Sequence, residues 1–64
     1  MNAPPRDRIA QGKALWRLRR AGFARGGGDR YRQYERGKRV ARAIAVDTRD
    51  YERLVRALAA IVGV

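Results

Sequence analysis

The chain contains no cysteine, no histidine and no serine among its 64 residues. Without cysteine and histidine, disulfides, thiolate chemistry, imidazole acid–base catalysis and the usual zinc sites are excluded. Without serine, the commonest hydroxyl nucleophile is missing, and Thr48 is better explained as a helix cap. We therefore expect a protein that is not an enzyme and that carries no metal and no cofactor.

Acidic residues are scarce: six Asp and Glu face sixteen Lys and Arg, for a net charge of +10. The six carboxylates are scattered beside arginines or at helix starts, which predicts caps and salt bridges rather than a catalytic pair. A large positive excess on so small a chain predicts a polyanionic partner. Fourteen of the cations are arginine, whose planar guanidinium suits phosphates and guanine edges. A GC-rich genome would also favour arginine over lysine, but it would not explain the net charge.

Long apolar runs are also lacking. The longest, residues 57–64, is far shorter than the roughly 20 residues that span a bilayer. Residues 1–5 are followed by charges where a secretory signal would need an apolar segment. We expect a soluble, cytoplasmic protein without membrane contact, and rank a basic segment lying on an anionic membrane last.

We predict a disordered tail, residues 1–5, and one small domain, residues 6–64. Because so small a domain has a thin stability margin, we also expect a homodimer.

The strongest helix signal lies at residues 48–62. Asp47 or Thr48 can cap the first turn, Asp50 suits the positive end of the helix dipole, and Gly63 can end the helix. Apolar residues recur at spacings of three and four along one face of this helix. They are Tyr51, Leu54, Val55, Leu58, Ile61 and Val62. We predict that this face supplies the core, or the contact between two copies of the chain, and that the helix is electrically neutral.

A first helix is predicted over residues 6–21. Ile9, Trp16 and Phe23 lie seven apart, and leucines broaden the same stripe. We therefore expect Trp16 and Phe23 in the core; the alternative is that they stack on unpaired bases. Gly22 is a plausible left-handed stop, with Phe23 just past the helix end. Gly12 is a weak point within this helix.

A second helix is predicted over residues 30–45, capped by Asp29 after the glycines at 26–28. We interpret the glycines as a connector rather than a phosphate nest, because no nucleotide-binding fingerprint surrounds them. Glu35 can pair with Arg39, and Gly37 weakens the middle of the helix. As an alternative, residues 40–46 alternate as in a short strand, which would pair with a second copy of the chain.

The positive charge is concentrated upstream of the third helix. Residues 1–28 hold seven cations and one carboxylate, and residues 29–46 hold six cations and two carboxylates. We predict that the first two helices and their connection contact nucleic acid. The candidate residues are Lys13, Arg17, Arg19, Arg20, Arg25, Arg30, Arg32, Arg36, Lys38 and Arg39. Tyr31 and Tyr34 lie among these cations, and the pattern leaves open whether they belong to the core or stack on bases.

Together these features predict an all-α, compact three-helix domain whose second and third helices loosely resemble a helix-turn-helix arrangement. The leading hypothesis is a DNA-binding regulator or accessory factor that grips phosphates and places a basic helix in the major groove. RNA is an alternative partner. A hypothesis of another class is a small interaction protein that docks its basic face on an acidic surface of a larger protein.

Overall fold

The computed structural model describes the backbone of residues 5–26 and 28–64, and the side chains of these ranges from residue 11 onward. Three helices follow one another: α1 (Pro5–Arg20), α2 (Arg30–Ile44) and α3 (Thr48–Val62). The described residues form no strand, so the three-helix prediction is confirmed and the strand alternative for residues 40–46 is wrong. The predicted tail lies outside the described residues, except for Pro5, where α1 begins.

The helix ends are set by short-range polar contacts. Asp29 accepts a hydrogen bond from the Tyr31 amide at 3.0 Å, and Asp47 accepts one from the Asp50 amide at 2.7 Å, so both predicted caps are confirmed. Gly22 and Gly63 end α1 and α3 at φ angles of 113° and 86°, which few residues with a side chain adopt.

Helix α3 is the centre of the domain. It packs against both α1 and α2, whereas α1 and α2 share a smaller contact with each other. Leu54 and Leu58 of α3 are fully buried, as are Leu18 of α1 and Phe23 beyond its end. The other buried apolar residues among the described side chains are Ala14, Ala41, Ala57 and Val62. The prediction that the third helix supplies the core is confirmed.

Most of the predicted apolar face of α3 packs against the core of the chain, and Ile61, the sixth predicted residue, is half-buried. Leu54, Leu58 and Val62 are buried in the core, and Tyr51 and Val55 are partly buried against it. A homodimer formed through this same face would therefore have to open the core of each copy. Homodimerisation stays a prediction, and it would need a different surface.

Trp16 does not belong to the core, and its predicted burial is wrong: it is 64% exposed. Among the described side chains of α1, residues 11–20, the buried ones are Ala14 and Leu18. Each lies two positions from Trp16, and two positions turn about 200° around a helix. The spacing of seven that joins Ile9, Trp16 and Phe23 does not mark one face of α1, because Phe23 lies beyond the end of this helix. Phe23 is buried because the chain turns back at Gly22, where the Phe23 amide donates to the Leu18 carbonyl at 2.9 Å.

Gly37 of α2 lies in close contact with Leu58 of α3. It is buried, and a Cβ placed on it would lie 2.5 Å from Cδ2 of Leu58, a separation that real Cβ atoms essentially never show. Leu58 is itself fully buried and has little room to move. Gly37 is therefore a packing requirement rather than the weak point that the sequence suggested.

We predict opposite effects for alanine at the two mid-helix glycines. Gly37→Ala should destabilise the domain by about 1–3 kcal/mol, because overpacking against Leu58 outweighs the gain in helix propensity. Gly12→Ala is the matched control: Gly12 is exposed and nothing lies within 4 Å of an added Cβ, so it should stabilise by about 0.5–1 kcal/mol. Urea unfolding followed by circular dichroism measures both values. A stabilising Gly37→Ala would contradict the close approach.

One ion pair ties α1 to the beginning of α3. Arg17 donates from Nη1 and Nη2 to the two oxygens of Asp50 at 2.9 and 2.8 Å. Asp50 Oδ2 also accepts the Val46 amide of the α2–α3 turn at 2.9 Å. The hydrogen bonds from Arg17 and then from the Val46 amide hold the pKa of Asp50 well below its ordinary value.

The low pKa of Asp50 makes the stability of the domain depend on pH. A carboxylate whose pKa is lower in the folded state stabilises the fold above its unfolded pKa of about 4, and this contribution is lost as the pH falls toward the folded pKa. We expect the Asp50→Asn variant to have a lower melting temperature than wild type at neutral pH. As the pH falls below about 4, the melting temperature of the variant should decrease less steeply than that of wild type.

The control for this prediction is Glu35→Gln, which removes an ion pair within α2 between partly exposed side chains and should change the melting temperature little. Thermal melts followed by circular dichroism across the acidic range test both variants. Identical melting temperatures for Asp50→Asn and wild type at neutral pH would show that the Arg17–Asp50 pair contributes nothing.

Candidate nucleic-acid interface

The carboxylates of the described residues are mostly engaged in the fold. Asp29 and Asp47 cap helices, Asp50 pairs with Arg17, and Glu35 pairs with Lys38. Glu52 is exposed on α3. Since four of these five acids serve helix ends or ion pairs, they are poorly placed to neutralise the arginines on the outer faces of the helices.

Most cations of the described residues are exposed. Two form ion pairs with described carboxylates: Arg17 with Asp50, and Lys38 with Glu35 at 2.9 Å. The predicted pair between Glu35 and Arg39 is wrong, because Glu35 turns to Lys38. The exposed cations are Lys13, Arg19, Arg20, Arg25, Arg30, Arg32, Arg36, Arg39, Arg42, Arg49, Arg53 and Arg56.

The outer face of α2 carries a row of three arginines, Arg32, Arg36 and Arg39, which we call the α2 ridge. All three are exposed, and their spacing of four and three residues places them along one line of the helix. The opposite face holds the buried Gly37 and Ala41. The ridge spans roughly 10 Å along the helix axis.

A second row with the same spacing lies on α3 and was missed by the sequence reasoning. Arg49, Arg53 and Arg56 are all exposed, and we call them the α3 ridge. The segment sums to zero charge, but Asp47 caps the helix and Asp50 faces Arg17, so neither lies along the ridge. The spacing of these arginines, on the face opposite the apolar stripe, was the signal that could have revealed it.

The exposed face of α1 combines cations with the indole of Trp16. Lys13, Arg19 and Arg20 are exposed on this helix, and the guanidinium carbon of Arg19 lies 5.7 Å from the centre of the Trp16 ring. Arg17 lies apart from this group, because its guanidinium is directed to Asp50. We therefore assign Arg17 to the stability of the fold.

The remaining candidates lie near the connection between α1 and α2 and near the chain end. Arg25 is exposed in the connection, and Arg30 donates to the Gly63 carbonyl at 3.5 Å, a long hydrogen bond. Gln33 of α2 donates to the Gly26 carbonyl, and Gly28, with φ of 117°, leads into the cap of α2. The contact of Gly26 with α2 favours the connector interpretation; Gly27 lies outside the described residues.

The tyrosines divide between core and surface. Tyr34 and Tyr51 are partly buried against the core, and each has a cation near its ring: Lys38 at 4.8 Å and Arg42 at 5.4 Å from the ring centres. Tyr31 is 62% exposed. Of the two tyrosines left open by the sequence, Tyr31 is available to a partner and Tyr34 serves packing.

Two other kinds of site are missing from the part of the chain that the structure describes. No group of three carboxylates lies close enough together to hold a metal ion. None of the helices has the length and the apolar character needed to cross a bilayer.

Comparison with known proteins returns no match: no family model, no curated protein and no solved structure is significantly similar to the chain. The interpretation of its basic surface therefore depends on geometry and charge.

Proposed function

We propose that the protein binds nucleic acid, with DNA as the favoured partner, and acts as a small regulator or accessory factor. The observation that supports this proposal is the division of charge: four of the five described carboxylates serve helix ends or ion pairs, while arginines are exposed on the outer faces of the helices. Such an excess of exposed guanidinium groups attracts a polyanion over long distances and gives each phosphate a bidentate partner.

The α2 ridge is the strongest candidate for phosphate contact. Glu35, the nearest acid on this helix, is paired with Lys38. On α3, Glu52 has the same spacing from Arg49 and Arg56 as Glu35 has from Arg32 and Arg39, but Glu52 forms no ion pair among the described side chains and can offset those two arginines of the α3 ridge. The α2 ridge is therefore less neutralised, and we expect it to contribute more to binding than the α3 ridge.

The shape of the ridges favours DNA over double-stranded RNA. An exposed helix with a row of arginines fits the major groove of B-form DNA, whereas the major groove of A-form RNA is too narrow for it. Residues 45–47 join α2 and α3. A connection of three residues is compatible with a helix-turn-helix arrangement, which stays part of the proposal.

The competing proposal is a protein partner with an acidic surface. Both partners would respond to salt, but a protein partner would form a complex of fixed stoichiometry, whereas binding to nucleic acid releases condensed counterions and depends on chain length. Capture from a lysate of the source organism with and without nuclease treatment distinguishes the two, because nuclease would remove only contacts that depend on nucleic acid.

We predict that two alanines in the α2 ridge weaken duplex binding. Arg36→Ala combined with Arg39→Ala should make the fall of log affinity with log salt shallower, by about 0.9 for each phosphate that the variant leaves without a cation. Fluorescence anisotropy of a labelled duplex at several salt concentrations measures the slope. Both residues are exposed, so the fold should be unchanged by circular dichroism.

The matched control is Arg53→Ala combined with Arg56→Ala, which removes the same charge from the α3 ridge. We expect a smaller loss of affinity, because Glu52 already offsets part of that charge. Equal losses would mean that binding follows net charge alone. If wild type fails to bind duplex or single strands even at low salt, the nucleic-acid proposal is wrong and the protein-partner alternative takes its place.

A further inference from the structure

We infer that the nucleic acid carries unpaired bases and that one of them stacks on Trp16. This inference rests on the proposed function and narrows its ligand. Trp16 is the only tryptophan of the chain and is 64% exposed on the side of α1 away from the buried Ala14 and Leu18. An indole so placed adds little to the core, although tryptophan is among the side chains that gain most from burial.

The surroundings of Trp16 are cationic. Lys13, Arg19 and Arg20 lie three or four residues away, which places their Cβ atoms about 5–6 Å from that of Trp16 on the helix surface. The Arg19 guanidinium carbon lies 5.7 Å from the indole centre. A flat aromatic surface bordered by cations matches a nucleotide, which presents a flat base and a phosphate close together.

The fourth helical neighbour of Trp16 is Gly12, which has no side chain to cover the ring. Gly12 is exposed, and a Cβ built on it would meet nothing within 4 Å. The side chain position one turn before Trp16 therefore leaves the ring uncovered, and the indole keeps the 64% exposure that a stacking base requires.

An unpaired base suits this site better than an intact duplex. In a duplex each base is already stacked on its neighbours, so an indole could reach a base face only by unstacking them, at a cost in free energy. An unpaired base has an available face, and stacking on an aromatic side chain is tolerant of sequence. Duplex binding through the arginine ridges remains compatible with this preference.

Tyr31 provides a comparison within the same chain. It is exposed to almost the same extent, 62%, but its neighbours three and four residues onward are Tyr34 and Glu35. Neither of these neighbours is a cation, so the site around Tyr31 lacks the cationic border of Trp16. Tyr31→Ala is therefore the matched control for Trp16→Ala.

The fluorescence of the single tryptophan reports directly on the site. Titration with oligothymidylate of about twelve nucleotides, within the usual site size of single-strand binding proteins, should quench Trp16 emission. An abasic strand of equal length and charge should bind more weakly, by anisotropy, and should leave the emission nearly unchanged. An intact duplex should bind without comparable quenching.

Substitution then separates stacking from charge. Trp16→Ala should weaken oligothymidylate binding roughly five- to 150-fold and make it equal to abasic binding, while Trp16→Phe should restore part of the loss. Tyr31→Ala should bind oligothymidylate nearly as wild type does. Circular dichroism of Trp16→Ala should match wild type, because the side chain is exposed.

Several outcomes would overturn the inference. If the abasic strand quenches as well as oligothymidylate, or if Trp16→Ala binds oligothymidylate like wild type, charge alone accounts for binding and only this inference fails. If the emission responds to anionic phosphatidylserine vesicles but to no strand, Trp16 serves a membrane surface. If no strand or duplex binds at low salt, the proposed function fails together with the inference.

Discussion

Leu58 packs against Gly37 at a separation that leaves no room for a side chain, and this contact determines how α2 lies on α3. The directions of side chains around a helix are fixed relative to one another. Because Gly37 and Ala41 face the core, the residues on the opposite side of α2 face solvent. The α2 ridge is exposed for this reason. The same argument applies to α3, where burial of Leu54 and Leu58 directs the α3 ridge to solvent.

Helix α1 is held by a different combination of forces. Its described residues bury one alanine and one leucine, Ala14 and Leu18, and the ion pair between Arg17 and Asp50 adds a polar link at one edge. Because Asp50 also accepts the Val46 amide, a single carboxylate joins α1, the turn after α2 and the first turn of α3. The orientation that results places Trp16 outward, on the side of α1 away from Ala14 and Leu18.

The parts of the fold that depend on neighbours in sequence could be predicted from the sequence. Each helix end depends on contacts between residues that are close in sequence. The caps are Asp29 and Asp47, the stops are Gly22 and Gly63, and the helix bounds follow from them. Burial in α1 could not be predicted in the same way, because several overlapping stripes compete and only packing against α3 selects one. Trp16 was misplaced for that reason.

The candidate surface was predicted only in part, because a net charge does not say where the charges lie. The neutral sum over α3 conceals that Asp50 faces Arg17 while the α3 ridge faces solvent. Spacing alone likewise does not decide whether Glu35 pairs with Lys38 or Arg39; in the structure Lys38 contacts both Glu35 and the Tyr34 ring. Sequence spacing indicates the candidates, but the three-dimensional contacts decide among them.

The division of charge couples stability to binding. Arginines spread over the outer faces of three helices repel one another, and this repulsion lowers the stability of the compact state. Salt screens the repulsion and so favours the free fold, but it also weakens attraction to a polyanion. A bound polyanion would relieve the same repulsion and add its own binding free energy to the folded state. On this view the exposed arginines lower the stability of the free domain and raise that of the complex.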